Sequence, residues 1–572
     1  MHDPAGLRLK QTRLSSLSSA AGANLRDASI EAKTPDYGAQ DAPTDTPSAP
    51  LPASSAPAFV PASWLNAGNA LYIWIAIVVA CVGWQPLLLG FYYDDWAWIV
   101  GGASQGSPFS LARLTFMHSV VDPVRLGLLP ARFLGSSLFG DNPLLWQGAL
   151  LLVNCLVAMS IVGVGRVLTQ CRTREDRAIT AAAGSCWLLL PWNVAARFWP
   201  TLMPSTMIIA AEGLLCVVVI RGWEKNRSRA ITAGVLYLWM CLSYEAFYLQ
   251  WIPIVLIGVA LWMAKRIALR PVLKSAIAMV AAQVVAVLWN VYTREQHYST
   301  VKDLLPNWSQ VVSGNLLHLL PAALHSVSEL SAAIAFCGVI VAVMWLIAHL
   351  AASDRPAAVT SFLLAGVSIS GGLLSVVVFS LGGRMVTSIG VETRSMVLFN
   401  FWILIAAAIL TVFAAQRLPR AGKLIFVFAL GGFGLCLAAG QVLRATDWAT
   451  AWNLQKKLLA EAPISDLKRT EPDARIVILN PQDVNGAPIF AESWDINNAI
   501  PWAFPFLRSR RFVIYSPWRG EMKWDGRELR YVGQPPLETT AAVYLWRPTD
   551  ISFWRPAGPF AIHQDLTVDP PR

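Results

Sequence analysis

The stretch LYIWIAIVVACVGWQPLLLGFYYDDWAW, residues 71–98, carries an uncharged apolar run straight into an aromatic-flanked carboxylate pair, Asp94-Asp95. The run from Leu71 to Leu89 is long enough to cross a hydrocarbon core of about 30 Å. It begins too deep in the chain for a cleavable secretory signal and reads as a retained first transmembrane helix. Carboxylates at the exit of such a helix are costly beside a bilayer, so their position marks them as candidates for chemistry.

Composition extends that reading to the whole chain. With 572 residues, a mean hydropathy of +0.49, 55% hydrophobic residues and 14% charged ones, the sequence has more apolar surface than one soluble core can bury. Eleven apolar runs centre near residues 80, 155, 184, 210, 236, 255, 282, 340, 370, 405 and 431, giving an all-α polytopic membrane protein of about eleven transmembrane helices. The net charge of +10 does not point to nucleic acid, because the basic residues concentrate in short loops between the runs. Arg166, Arg172, Arg174 and Arg177 follow the second run; Arg221, Lys225, Arg227 and Arg229 the fourth; Lys265, Arg266, Arg270 and Lys274 the sixth; Arg355 the eighth; Arg417, Arg420 and Lys423 the tenth. The loops after odd-numbered runs are longer yet more sparsely basic, the alternation expected if the even-numbered loops and the N-terminus are cytoplasmic. The remaining loops and the C-terminal segment then lie outside.

The chain divides into three parts. Residues 1–66, rich in Pro, Ala, Ser, Thr and Asp, are expected to be a disordered cytoplasmic tail. Residues 67–443 form the transmembrane part, with a first outer loop over 91–142. Residues 444–572 change composition; runs such as ARIVIL (474–479), RFVIY (511–515) and AAVYLW (541–546) read as strands of a small α/β extracytoplasmic domain. Its many tryptophans suggest core packing and interface anchoring first, and sugar stacking second. The eight cysteines fall in apolar runs or on the basic side, so no disulfide framework is expected, and the histidines show no metal-ligand spacing.

The outer face collects Asp94, Asp95, Arg197, Tyr244, Glu245, Arg384, Glu392 and Arg394. Its first loop continues through an amphipathic segment near Leu111–Met117 to Asp122, Arg125 and Arg132 before Asp141-Asn142-Pro143 opens the second span. This combination resembles the GT-C superfamily of integral-membrane glycosyltransferases, of the protein mannosyltransferase and aminoarabinose transferase kind: Asp-Asp after helix one, a long loop with an amphipathic helix, and an arginine before a Leu-rich second span. LPWNVAARFWP (190–200) is similar to the Pro-and-Trp re-entry of that family and LSYEA (242–246) to its acidic motif, so the resemblance covers residues 70–260.

The resemblance implies transfer of a sugar from a polyprenyl-phosphate carrier to a glycan, lipid or protein acceptor at the outer membrane face, with inversion at the anomeric carbon. Either Asp94 or Asp95 would take the proton of the acceptor hydroxyl. Arg384 and Arg394, with Arg197 behind them, would hold the phosphate. Arg125 or Arg132 would fill the role of the loop arginine, and Glu245 would support the acceptor side. The paired carboxylates also offer hard oxygen ligands to a magnesium or manganese ion, which the chemistry does not require. A bacterial inner membrane is the expected location, and the bilayer and a lipid-linked sugar are the expected partners. Two rivals share the topology: an O-antigen ligase or polymerase, and a transporter or flippase of lipid-linked sugars. The transport reading needs ionisable residues within the spans, where the sequence offers only Glu212; a broken helix with a buried charge would favour it.

Overall fold

The computed structural model describes residues 67–100, 123–294, 355–381, 390–418, 420–479, 483–515, 522–531, 537–538, 542–548, 552–556, 560–562 and 568–569. The expected N-terminal tail and the span near residue 340 lie outside them. The helical part comprises α1 (Ala67–Val82), α2 (Leu129–Phe139), α3 (Pro143–Thr169), α4 (Arg174–Cys186), α5 (Val194–Phe198), α6 (Met203–Glu224), α7 (Ala230–Ser243), α8 (Trp251–Met263), α9 (Leu269–Arg294), α10 (Arg355–Leu381), α11 (Val397–Arg417) and α12 (Arg420–Ala460). Among the described residues, eight helices are long and apolar enough to cross a membrane. The runs near 184 and 236 become α4 and α7, of 13 and 14 residues, short of the roughly 20 needed to span alone. A turn at Trp187–Leu189 and the extended backbone of Tyr244 end them early.

Local signals set these boundaries. Asn142 accepts from the backbone N–H groups of Leu144 and Leu145, and Pro143 fills the first helical position of α3. Thr173 and Asp176 close a capping box at α4. The exterior is apolar, with Ile231, Phe428 and Ile277 at 85%, 72% and 69% exposure, a surface suited to lipid. Close helix contact uses small residues: a Cβ on Gly213 of α6 would stand 2.4 Å from the Ser160 hydroxyl of α3.

The bundle has two chemically different ends. At one, Gly68 packs against the backbone of Arg174 and Glu175, Lys423 pairs with Glu175 at 3.1 Å, and Gln416 donates to Asp176. Arg266 donates to the Leu168 carbonyl and pairs with Glu224 there as well. The basic loops after the second, fourth, sixth and tenth expected runs therefore meet at the same end. The opposite end carries Asp94, Asp95, Arg197, Tyr244, Glu245 and Arg394.

Helix α12 links this opposite end to the C-terminal region. Its 41 residues reach about 60 Å at 1.5 Å per residue, twice the hydrocarbon thickness, and run unbroken through the composition change at residue 444. Beyond it come α13 (Ile464–Arg469), β1 (Arg475–Leu479), α14 (Ser493–Ala503), β2 (Arg511–Tyr515), β3 (Met522–Trp524), β4 (Glu528–Tyr531), β5 (Leu537–Glu538), β6 (Val543–Arg547), β7 (Ser552–Trp554), β8 (Phe560–Ile562) and β9 (Val568–Asp569). One sheet has the order β2-β1-β6-β7, with β1 parallel to both neighbours; the other, β5-β4-β3-β8-β9, is antiparallel. Alternate residues of β1 serve two cores. Ile476 and Ile478 join the helical side, while Val477 and Leu479 face Met522, Leu529 and Ile562 of the second sheet. The α/β domain expected from the strand-like runs is present, and its β1-α14-β2 crossover delivers α14 to the carboxylate-bearing end of the bundle.

Candidate active site

The chain leaves α1 through a 3-10 turn at Gln85–Leu88 and is then anchored from three sides. A Cβ on Gly90 would lie 2.1 Å from the Trp452 ring, so only glycine permits this approach of the loop to α12. Gln147 donates both to the Gly90 carbonyl (2.9 Å) and to the Phe198 carbonyl (3.0 Å). Two turns further along α3, Asn154 donates to the Ala196 carbonyl at 2.7 Å and accepts from the Trp187 indole. These buried amides hold the re-entrant segment containing α5 against the loop that carries the carboxylates. Tyr92 donates its hydroxyl to the Trp448 carbonyl (2.7 Å), and Trp96 donates to Gln455 (3.0 Å).

Tyr93 adopts a left-handed backbone with φ of 48°, a conformation that costs a non-glycine residue roughly 1–2 kcal/mol. The two aspartates that follow have different fates. Asp95 is fully buried. One of its oxygens accepts from the Tyr92 N–H at 2.9 Å and the other from the Thr201 N–H and hydroxyl at 2.7 and 2.6 Å. Thr201 lies in the 3-10 turn Pro200–Leu202 that leads into α6, so Asp95 ties the outer loop to a helix start, where a carboxylate is favoured. Burial pushes its carboxyl well above the usual range, against the pull of the Thr201 and Tyr92 donors.

Asp94 stays half-buried. Burial raises its carboxyl too, opposed first by Arg394, then by the Trp494 hydrogen bond and by Arg132, while Glu492 pushes it further up. Arg394, in the 3-10 turn Val391–Met396, lies over the Trp199 ring at 5.6 Å. That turn is docked by Thr393, which accepts from the Ala195 N–H of α5 at 3.0 Å. Arg132 of α2 lies 4.6 Å from the centre of the Trp98 ring. Arg394 also lines a narrow, largely apolar cleft, with Ser205, Thr206, Ile209, Tyr244 and Phe247 among the other walls.

The structure thus assembles Asp94, Asp95, Arg132 and Arg394. Glu245 opens the 3-10 turn Glu245–Phe247, between the cleft residues Tyr244 and Ala246. Arg197 is turned inward: it is 1% exposed, donates to the Leu188 carbonyl and is not brought to Asp94. Arg384 lies outside the described residues, as does the side chain of Arg125, whose backbone belongs to the 3-10 turn Pro123–Leu128. Among the described residues no three His, Cys, Asp or Glu side chains converge as a metal ion requires. Both Asp95 oxygens accept from protein donors, and Asp94 accepts from Trp494.

The C-terminal tryptophans stood out in the sequence, but none of those in α14 was linked to the acidic pair. Trp494 donates its indole N–H to Asp94 at 3.2 Å. Asp495 is buried and accepts from the Ala491 and Glu492 N–H groups at 3.0 Å each. Thr201 could have been suspected, since it directly follows the re-entrant Pro200; four hundred residues separate Trp494 from Asp94, and no local pattern links them.

No family model and no curated protein matches the sequence. Among solved structures, the chain is similar to a crystal structure of ArnT from Cupriavidus metallidurans bound to undecaprenyl phosphate, at 12% identity and a TM-score of 0.43, over 78% of this chain and 86% of that one. It is also similar to ArnT from Cupriavidus metallidurans in the apo state, at 14% identity and a TM-score of 0.39, over the same shares. At these scores the likeness assigns neither activity nor residues.

Proposed function

We propose that the protein is a membrane glycosyltransferase that moves a sugar from a polyprenyl-phosphate donor to an acceptor hydroxyl at the extracytoplasmic face. The observation that carries this reading is Asp94: a half-buried carboxylate that feels the charges of Arg394 and Arg132, with Arg394 also lining a largely apolar cleft, at the end of the bundle opposite the basic loops. The donor class comes from the motif resemblance, and the orientation from the charge asymmetry of the loops.

In the reaction, the carboxylate of Asp94 takes the proton of the acceptor hydroxyl as its oxygen bonds to the anomeric carbon. The bond from that carbon to the phosphate oxygen breaks, and polyprenyl phosphate leaves with the electron pair. Arg394 neutralises the charge that grows on the phosphate. A carboxyl raised by burial is a stronger base at neutral pH than an exposed aspartate, which suits it to a poor nucleophile. Asp95 shapes the loop and holds Thr201 rather than meeting substrate. The test is transfer from labelled polyprenyl-phosphate sugars by Asp94→Asn and Asp95→Asn. Full activity in Asp94→Asn, with normal membrane expression, sinks the mechanism.

One observation favours the transport reading. Glu212 in α6 is fully buried, and Trp402 donates its indole to Gln250 at 2.9 Å, leaving both Glu212 oxygens without a hydrogen-bond partner among the described residues. Proteoliposomes that translocate lipid-linked sugar and lose this in Glu212→Gln, with no transfer activity in the wild type, would establish that alternative.

A further inference from the structure

We infer that the C-terminal domain completes the active site, with Trp494 of α14 as a positioning residue for Asp94; this deepens the glycosyltransferase reading and rests on Asp94 as its base. The indole N–H reaches the Asp94 carboxylate at 3.2 Å, and the same ring meets Tyr93 edge-on at 6.1 Å between centres. Tyr93 carries the strained left-handed turn, so Trp494 touches both the acid and the residue that aims it.

The placement of Trp494 is itself fixed. Asp495 accepts from the Ala491 and Glu492 N–H groups and locks the first turn of α14. Eight residues along the helix, Trp502 donates to Asp141 of the outer loop at 2.9 Å and packs on Trp96 at 5.7 Å. Two indole-to-carboxylate bonds, one at each end of α14, therefore clamp the helix across the first outer loop. Gln455 of α12 braces the junction by accepting from Trp96 and donating to the Pro488 carbonyl at 3.1 Å. A hydrogen bond to a half-buried carboxylate stabilises its ionised form, which is the form a general base uses. The other groups facing Asp94 are Glu492, whose charge disfavours its ionisation, Arg394 and Arg132, which favour it, and Asp95, Asp495 and the neutral Tyr93, whose own ionisation the Asp94 charge opposes.

The experiment compares pH profiles of kcat/KM for the full-length wild type, Trp494→Phe and Trp494→Gln in detergent or nanodiscs. Phe keeps an aromatic ring and removes the donor. Its acid limb should move to higher pH, with a roughly fivefold loss of kcat/KM below the limb that vanishes above it. Gln retains an N–H donor and should return the limb part of the way. An unshifted limb in Trp494→Phe, or a loss equal at every pH, overturns the positioning role. If Trp494→Phe does not fold, Trp494→Leu, which also lacks the donor, takes its place: a limb moved to higher pH supports the role and an unshifted one overturns it. Asp94→Asn keeps the two hypotheses apart: an inactive Asp94→Asn beside an unshifted Trp494→Phe rejects the positioning role alone. An active Asp94→Asn rejects the base and with it this inference.

Discussion

The two ends of the helical bundle carry charge in opposite ways. At the basic end, the described ion pairs are partly wet: Lys423–Glu175 has side-chain exposures of 26% and 33%, and Arg266–Glu224 has 18% and 33%, while the buried Asp176 closes the capping box of α4. Such pairs contribute about 0–1 kcal/mol each, so their abundance speaks of topology rather than stability. At the other end, Asp95, Asp495 and Arg197 are buried and bonded to backbone. There each group carries a desolvation cost that only defined partners offset.

The largest effect expected at the carboxylate end is from Asp94→Asn, which should lower transfer by about 10²–10⁴-fold without unfolding the protein; sugar-transfer assays alongside thermal melts check both halves. Its wild-type activity should rise with pH through the raised titration of Asp94, since only the ionised acid accepts the proton. Arg394→Gln should follow, with about 10²-fold lower kcat and a smaller change in acceptor KM, as expected for a group that meets charge in the transition state.

Gly90→Ala drives a Cβ into the Trp452 ring and should cost about 1–3 kcal/mol, read in thermal melts. Asp95→Asn tests the same anchoring from the other side. The amide can still accept from Thr201 but turns N–H against N–H at Tyr92, and about 1–3 kcal/mol of stability should go with it. Smallest of all, Lys423→Ala at the basic end should shift stability by less than about 1 kcal/mol and leave transfer unchanged. A large loss there would erase the contrast between the two ends.

The parts of this molecule legible in sequence share a local cause. Apolar runs must satisfy their backbone internally in lipid and so become helices, which is why runs such as 143–169 and 397–417 read directly from composition. Positive loops sort to one end for the same one-dimensional reason. The strand-like runs 475–479 and 511–515 also announced themselves, since both faces of these parallel strands are buried. Asp94, Asp95 and Arg394 were visible as charges beside apolar runs. Their roles were not, because adjacent aspartates look alike in a chain, and only the turn at Tyr93 and the reach of Thr201 make one structural and leave the other open.

The sequence by itself determined the polytopic helical class, the sidedness of its loops and the carboxylate-bearing end, all set by hydropathy and charge read along the chain. The tertiary structure alone decided that Arg197 turns inward, that Arg132 and Arg394 stand by Asp94, and that Trp494 reaches it from the C-terminal domain. Those outcomes depend on side chains up to four hundred residues apart competing for one desolvated space, where a hydrogen bond depends on ångström-scale placement that no spacing in the chain records.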